Sequence, residues 1–211
     1  MNFLTTGPEG ATARVLLAHG AGAPMDTPFM NAFANALAEH GLRTFRFEFA
    51  YMASRRTGEG RKPPPKAERV MGEFLQAVDA APPGGPLFIG GKSMGGRVAS
   101  MVAEELFRAK KIAGLFCLGY PFHPPGRPEK LRTAHLKDLT VPALICQGTR
   151  DPFGTREDVA SYSLSPSIRI HWLEGGDHDF RPEKGSGLTA KENLRSAADA
   201  VAEWTKRGEG A

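Results

Sequence analysis

Residues 86–103 read PLFIGGKSMGGRVASMVA, a stretch that passes from strand pattern to helix pattern within a few residues. The apolar run Leu87-Phe88-Ile89 meets Gly90 and Gly91. Lys92, Ser93, Met94, Gly95 and Gly96 follow, and Val98, Met101, Val102 and Leu106 then recur at helical spacing. Within this turn Gly91-Lys92-Ser93-Met94-Gly95 matches G-x-S-x-G, a strand-to-helix reversal so sharp that its serine is forced into a strained backbone conformation. Glycines two residues either side are required because a Cβ there would collide with the neighbouring strand and helix. Such a turn lifts the hydroxyl above the carboxyl edge of a parallel sheet. It also aims backbone N–H groups at the start of the next helix toward a developing negative charge. A Walker-type phosphate loop shares the Gly91-Lys92-Ser93 ending. It needs a glycine where Pro86 stands, however, and Leu87-Phe88-Ile89 has the character of a strand rather than of an anion-cradling loop.

The rest of the chain repeats the alternation. Phe3-Leu4 suits an edge strand, and Arg14 to Ala18 is an apolar run of the buried-strand type ending at His19-Gly20-Ala21-Gly22-Ala23-Pro24. Pro28 to His40 reads as a helix, with Thr27 as its cap and Gly41 as its stop. A strand over 42–47, a basic proline-bearing loop over 50–65 and a helix over roughly 66–80 follow. Strands over 112–118, 142–146 and 168–172 come after the serine turn, and a closing helix starts near Thr189. Strands alternating with helices predict an α/β fold: a mostly parallel sheet covered on both faces, in one domain spanning 1–211. In such sheets ligands sit beyond the carboxyl ends of the strands. His19, Ser93, His123, Asp151 and His178 all follow strands and are expected on one rim.

Composition narrows the classes. With 211 residues, 41% hydrophobic and 24% charged, the chain has the make-up of an ordinary globular protein with a sizeable core. No segment approaches the length needed to cross a bilayer, and the N-terminus lacks a basic region followed by an apolar run. Cys117 and Cys146 sit inside strand-like runs, so buried thiols in a reducing, cytoplasmic setting are expected rather than a disulfide framework. The net charge of +4 is a mild excess, spread along the chain apart from Arg55, Arg56, Arg61, Lys62 and Lys66. A nucleic-acid binder of this size shows a denser patch with stacking aromatics, so neither nucleic acid nor membrane is expected as a partner. Oligomeric state is not legible.

Three residues then stand out with two readings each. Ser93 is a nucleophile or a chance match. Asp151, before Pro152, is a catalytic acid or a turn starter. His178, between Asp177 and Asp179, is a base or part of a solvated acidic turn. A metal site is disfavoured because no second histidine or cysteine lies nearby at a ligand spacing.

Taken together, the order Ser93, Asp151, His178, each after a strand, resembles the α/β-hydrolases over nearly the whole chain. The resemblance implies that Ser93 attacks an acyl carbon, His178 takes its proton, and Asp151 orients and stabilises the imidazolium, with no cofactor. It also implies an oxyanion hole built from the Met94 N–H and, by likeness to His-Gly-x loops, Ala21 with Gly22 next; His19 would shape that loop. His-Gly-Ala-Gly departs from the His-Gly-Gly-Gly of many lipases. Residues 119–126 and Arg132-Thr133 resemble a small cap-less subset that is dienelactone-hydrolase-like and testis-expressed-hydrolase-like, and that includes a subunit of a chromatin-modifying complex. His123 and Tyr120 of that segment are candidates to line the pocket, with a surface loop as the alternative. The expected substrate is a small acyl ester or thioester in an open site, with Arg55, Arg56 and Lys62 reaching over it to favour an anion. A catalytically silent interaction module and an acyltransferase remain as alternatives.

Overall fold

The structure, a computed structural model, describes residues 1–58 and 63–207. Arg61 and Lys62 of the basic run lie outside the described residues. Seven strands form one sheet: β1 (Leu4–Thr6), β2 (Arg14–Ala18), β3 (Arg43–Phe47), β4 (Leu87–Lys92), β5 (Gly114–Leu118), β6 (Ala143–Gly148) and β7 (Ile168–Leu173). Their spatial order is β1-β3-β2-β4-β5-β6-β7, parallel throughout except for the antiparallel edge strand β1. From β2 the chain steps outward to β3, then returns to place β4 on the other side. The crevice where the connections diverge therefore lies at the carboxyl ends of β2 and β4, the place where open α/β sheets bind ligands.

Period-two alternation explains the two cores. In β2, Val15 and Leu17 face helices α1 (Pro28–Glu39) and α6 (Ala190–Lys206), packing with Phe33, Leu37, Ala198 and Val201. Leu16 and Ala18 face the opposite layer, α3 (Met71–Ala80) and α4 (Met94–Arg108), with Phe74, Val98 and Val102. Thr27 caps α1 by accepting the Met30 N–H, and Thr189 with Glu192 forms a capping box on α6. Cys117 and Cys146 are free and buried. No helix among the described residues is long and apolar enough to cross a membrane.

One segment departs from the expectation of a plain loop: residues 50–65 contain helix α2 (Ala50–Arg56). A five-residue helix α5 (Arg156–Ala160) follows the Asp151 turn. The helix expected over 66–80 is split into a 3₁₀ turn at Ala67–Arg69 and α3.

Candidate active site

Ser93 occupies the N-cap position of α4 with φ 51° and ψ −116°, a left-handed backbone setting that costs a side-chain-bearing residue about 1–3 kcal/mol. The surroundings hold it there: its N–H donates to Leu118 O at 2.9 Å and its carbonyl accepts the Arg97 N–H at 3.0 Å. The flanking glycines are required by close approach. A Cβ on Gly91 would lie 2.3 Å from the Gly95 carbonyl carbon, and one on Gly95 2.5 Å from His19 O. α4 can approach β4 at Gly91 and the end of β2 at Gly95 only with hydrogens at both positions.

The elbow, the β6 turn and the β7 turn converge. His178 Nε2 is 2.9 Å from Ser93 Oγ, and His178 Nδ1 is 2.8 Å from Asp151 Oδ2. Asp151 is fully buried and its other oxygen accepts the Phe153 N–H at 2.9 Å. Asp151 begins a turn, with Gly154 N–H donating to its carbonyl, and its side chain faces the imidazole. Its neighbours in sequence to the histidine take other partners. Asp177 Oδ1 accepts the N–H groups of Asp179 and Arg181, while Asp179 faces Lys92 at 3.4 Å. The His178 ring also packs on Phe153, with centroids 4.2 Å apart.

Around this relay lies a set of supports that sequence reasoning missed. Gln147, fully buried on β6, donates from Nε2 to Asp151 Oδ2 (3.0 Å), to Gly154 O and to Tyr120 O, and accepts the Tyr120 N–H at 2.7 Å. Lys92, the last residue of β4, is almost wholly buried and donates from Nζ to the His178 carbonyl at 2.7 Å. Burial pushes its pKa down, against the pull of the Asp179 and Asp151 carboxylates. The signal was available in both cases, since a lysine or glutamine inside an apolar strand must find partners.

The loop after β2 is fixed from beneath. His19 is buried, its Nε2 accepts the Phe49 N–H at 3.2 Å, and its Nδ1 therefore carries the proton and donates to Gly20 O at 2.7 Å. Tyr51 of α2 donates to Ala21 O at 3.0 Å, so the unexpected helix holds the loop that bears Ala21 and Gly22. Ala21, Met94 and Ser93 share one cavity wall, and Met94 as the first residue of α4 has an N–H without an intrahelical acceptor.

Four predicted substrate contacts are not brought to the serine. Tyr120 is fully buried, its hydroxyl donating to Arg132 O at 3.0 Å. His123 is buried too, its Nδ1 2.9 Å from Pro124 O and its Nε2 3.6 Å from Asp158 Oδ2, so it is neither a pocket residue nor a surface one. Arg56 is bound to Glu48 at 2.7 Å and Asp26 at 2.8 Å, which neutralises it. Arg55 lies with its guanidinium over the Tyr51 ring, 5.8 Å from its centroid. None of the four lines either cavity that meets Ser93.

Residues 11–206 match the model of a family described as an alpha/beta hydrolase domain. The chain belongs to the alpha/beta hydrolase family. Solved structures carry the same fold at low identity. One is a dienelactone hydrolase from Anabaena variabilis, 23% identical, with a TM-score of 0.69 over 96% of this chain and 89% of that one. Another is Est1E from Butyrivibrio proteoclasticus with ferulic acid bound, 16% identical, with a TM-score of 0.71 over 98% and 94%. A third, from Xanthomonas campestris and described as a serine hydrolase without lid, is 18% identical, with a TM-score of 0.67 over 96% and 87%. In this hydrolase chain the relay stands at the carboxyl ends of β4, β6 and β7.

Proposed function

We propose that the protein is a serine hydrolase that cleaves small esters or thioesters through an acyl-enzyme on Ser93. The observation that carries this reading is the continuous pair of contacts, 2.9 Å from Ser93 Oγ to His178 Nε2 and 2.8 Å from His178 Nδ1 to Asp151. His178 takes the Ser93 proton as Oγ attacks the acyl carbon, and Asp151 holds the ring in the tautomer that leaves Nε2 free to accept. The N–H groups of Met94 and Ala21 receive the oxyanion. His178 then returns the proton to the leaving oxygen or sulfur, and water repeats the sequence to release the acid. Cavities of about 680 and 470 Å³ flank the serine and suit an acyl compound of modest size.

The test is labelling by a fluorophosphonate probe and turnover of p-nitrophenyl and acyl-thioester substrates across chain length. Labelling that disappears in Ser93→Ala supports the reading. Folded wild-type protein that neither labels nor turns over any of the panel removes it.

A further inference from the structure

Ser93 lies between two cavities. One is walled by Phe29, Met30, Leu194 and Pro24, includes His178, and carries Lys92, Asp179, Arg181 and Lys191 as well. The other, about 470 Å³, runs from Ser93 and Met94 to Lys66, Arg97 and Arg132, with Glu68 as its one carboxylate among the described residues. Arg97 follows Ser93 by one helical turn of α4. Its Nη2 donates to Glu68 at 2.6 Å, while its Nε is buried with no hydrogen-bond partner among the described residues. The Arg132 guanidinium has no carboxylate partner among the described residues, and its backbone is fixed at both ends: its N–H donates to Phe122 O at 2.7 Å and its carbonyl accepts the Tyr120 hydroxyl. Burial, and next the neighbouring Arg97, push the Arg132 pKa down. Among the described residues this cavity sets three cations, Lys66, Arg97 and Arg132, against one carboxylate that Arg97 already holds, and the Arg132 guanidinium is able to grip an oxyanion bidentately.

The side of the scissile bond that enters this cavity follows from proton delivery. His178 must reach the leaving oxygen, so the leaving group lies on the side that His178 lines. The acyl chain therefore runs the other way. Arg97 stands one helical turn from Ser93, roughly 6 Å of axial rise, so an anion a few carbons beyond the acyl carbon is the length to test first. On this basis, and resting on the serine-hydrolase reading above, we propose that Arg97 and Arg132 form an anion-binding acyl subsite, so that the substrate is an ester or thioester whose acyl group ends in a carboxylate or phosphate-type head. In the reaction Ser93 Oγ gives its proton to His178 and bonds to the acyl carbon, the oxyanion so formed collapses as the bond to the leaving oxygen or sulfur breaks, the alcohol or thiol departs with the proton from His178, and water releases an acid that keeps its anionic head.

The experiment compares monoethyl glutarate, ethyl 3-phosphonopropanoate and ethyl pentanoate by acid release, in wild type, Arg132→Gln and Arg132→Lys. A charge-assisted contact predicts that wild type favours an anionic ester over ethyl pentanoate by about ten- to a hundredfold in kcat/KM. The ratio collapses toward one in Arg132→Gln and is partly kept in Arg132→Lys. Whichever anionic ester turns over faster identifies the head as carboxylate or phosphate-type. In parallel, glutarate is titrated into Ser93→Ala and into Ser93→Ala/Arg132→Gln; saturable binding is expected in the first only. Equal rates on charged and neutral esters, or equal loss on all of them in Arg132→Gln, overturn the subsite and leave the hydrolase reading standing. Arg132-dependent glutarate binding in a protein that turns over no ester and takes no fluorophosphonate label removes the hydrolase reading and keeps the subsite. Absence of binding, turnover and label removes both.

Discussion

The two ends of the sheet carry cavities of comparable size, about 700 Å³ at the amino end against about 680 and 470 Å³ beside Ser93, and they use polar groups in opposite ways. At the amino end, Arg14 donates to the carbonyls of Gly85 and Pro82, so its charge is consumed in tying β2 to the loop before β4. At the carboxyl end, a serine is held at positive φ, a carboxylate is buried against an imidazole, and Arg97 holds Glu68 while Arg132 lines the same cavity. At the amino end these bonds tie the fold together. At the carboxyl end the hydrogen-bonded groups converge on a serine that lines two cavities, and the backbone strain there is met by packing elsewhere in the fold. A cavity's volume therefore says less about function than what the groups lining it converge on.

The sharpest way to break that contrast is a matched pair of variants. Ser93→Ala should lower turnover by on the order of 10⁴- to 10⁶-fold, while Arg14→Met should lower the denaturant midpoint and leave turnover per folded molecule within about twofold. A large kinetic loss in the Arg14 variant at full folding would mean that the two ends are not separate. Next in size is Asp151→Asn, which should cost about 10⁴-fold in kcat with little change in fold, because an amide stabilises the wrong imidazole tautomer. Circular dichroism alongside steady-state kinetics checks it; a loss of only a few-fold would demote Asp151 to its turn-forming role.

What could be read in advance follows the same division. The apolar runs of β2, β4, β5 and β6 were legible because burial on both faces leaves little choice of residue, and Ser93 was legible because its turn demands glycines at fixed offsets. Strand ends were read short at Lys92 and at Gln147-Gly148, where polarity interrupts the pattern, and those two side chains prove to brace the relay. Helix α2 was missed because it is short and has no capping side chain; Tyr51 and Met52 anchor it from the core, and Glu73 accepts the Ala50 N–H at 2.6 Å. The basic run showed its charge but not that Glu48 and Asp26 neutralise Arg56. Arg97 and Arg132 stand far apart in sequence and meet only through the fold.

Lys92 gives a test of intermediate size, because it does at the rim what Arg14 does at the far end. Both donate to main-chain carbonyls, yet the carbonyl that Lys92 holds belongs to His178. Lys92→Met should remove that donor and the nearby charge, lowering kcat by about tenfold with a smaller change in KM, since the imidazole is positioned less well. Stability should also move, in a direction set by whether a lost buried charge outweighs an unpaired carbonyl. An unchanged kcat would return Lys92 to a structural role like that of Arg14.

The smallest effect separates one rim histidine from another. His135 pairs with the Ser100 hydroxyl at 2.8 Å, and burial, followed by the nearby Arg97 charge, pushes its pKa down to about 4 from an ordinary 6.5. Between those values the unfolded chain binds a proton that the folded chain does not, so acidification favours unfolding across this window. The stability at issue is fully present above about pH 6.5 and is lost as pH falls toward 4. Because His135 is partly exposed, screening reduces the effect to about 1–2 kcal/mol. Replacing it by glutamine keeps a hydrogen-bonding group and removes the titration, so the difference in urea-derived stability between pH 7 and pH 4.5 should shrink in His135→Gln. His19, whose pKa burial also lowers, retains its share of the slope in that variant. An identical slope in wild type and variant would show that His135 titrates as it does in water, and that the basic wall beside it is wetter than its packing implies.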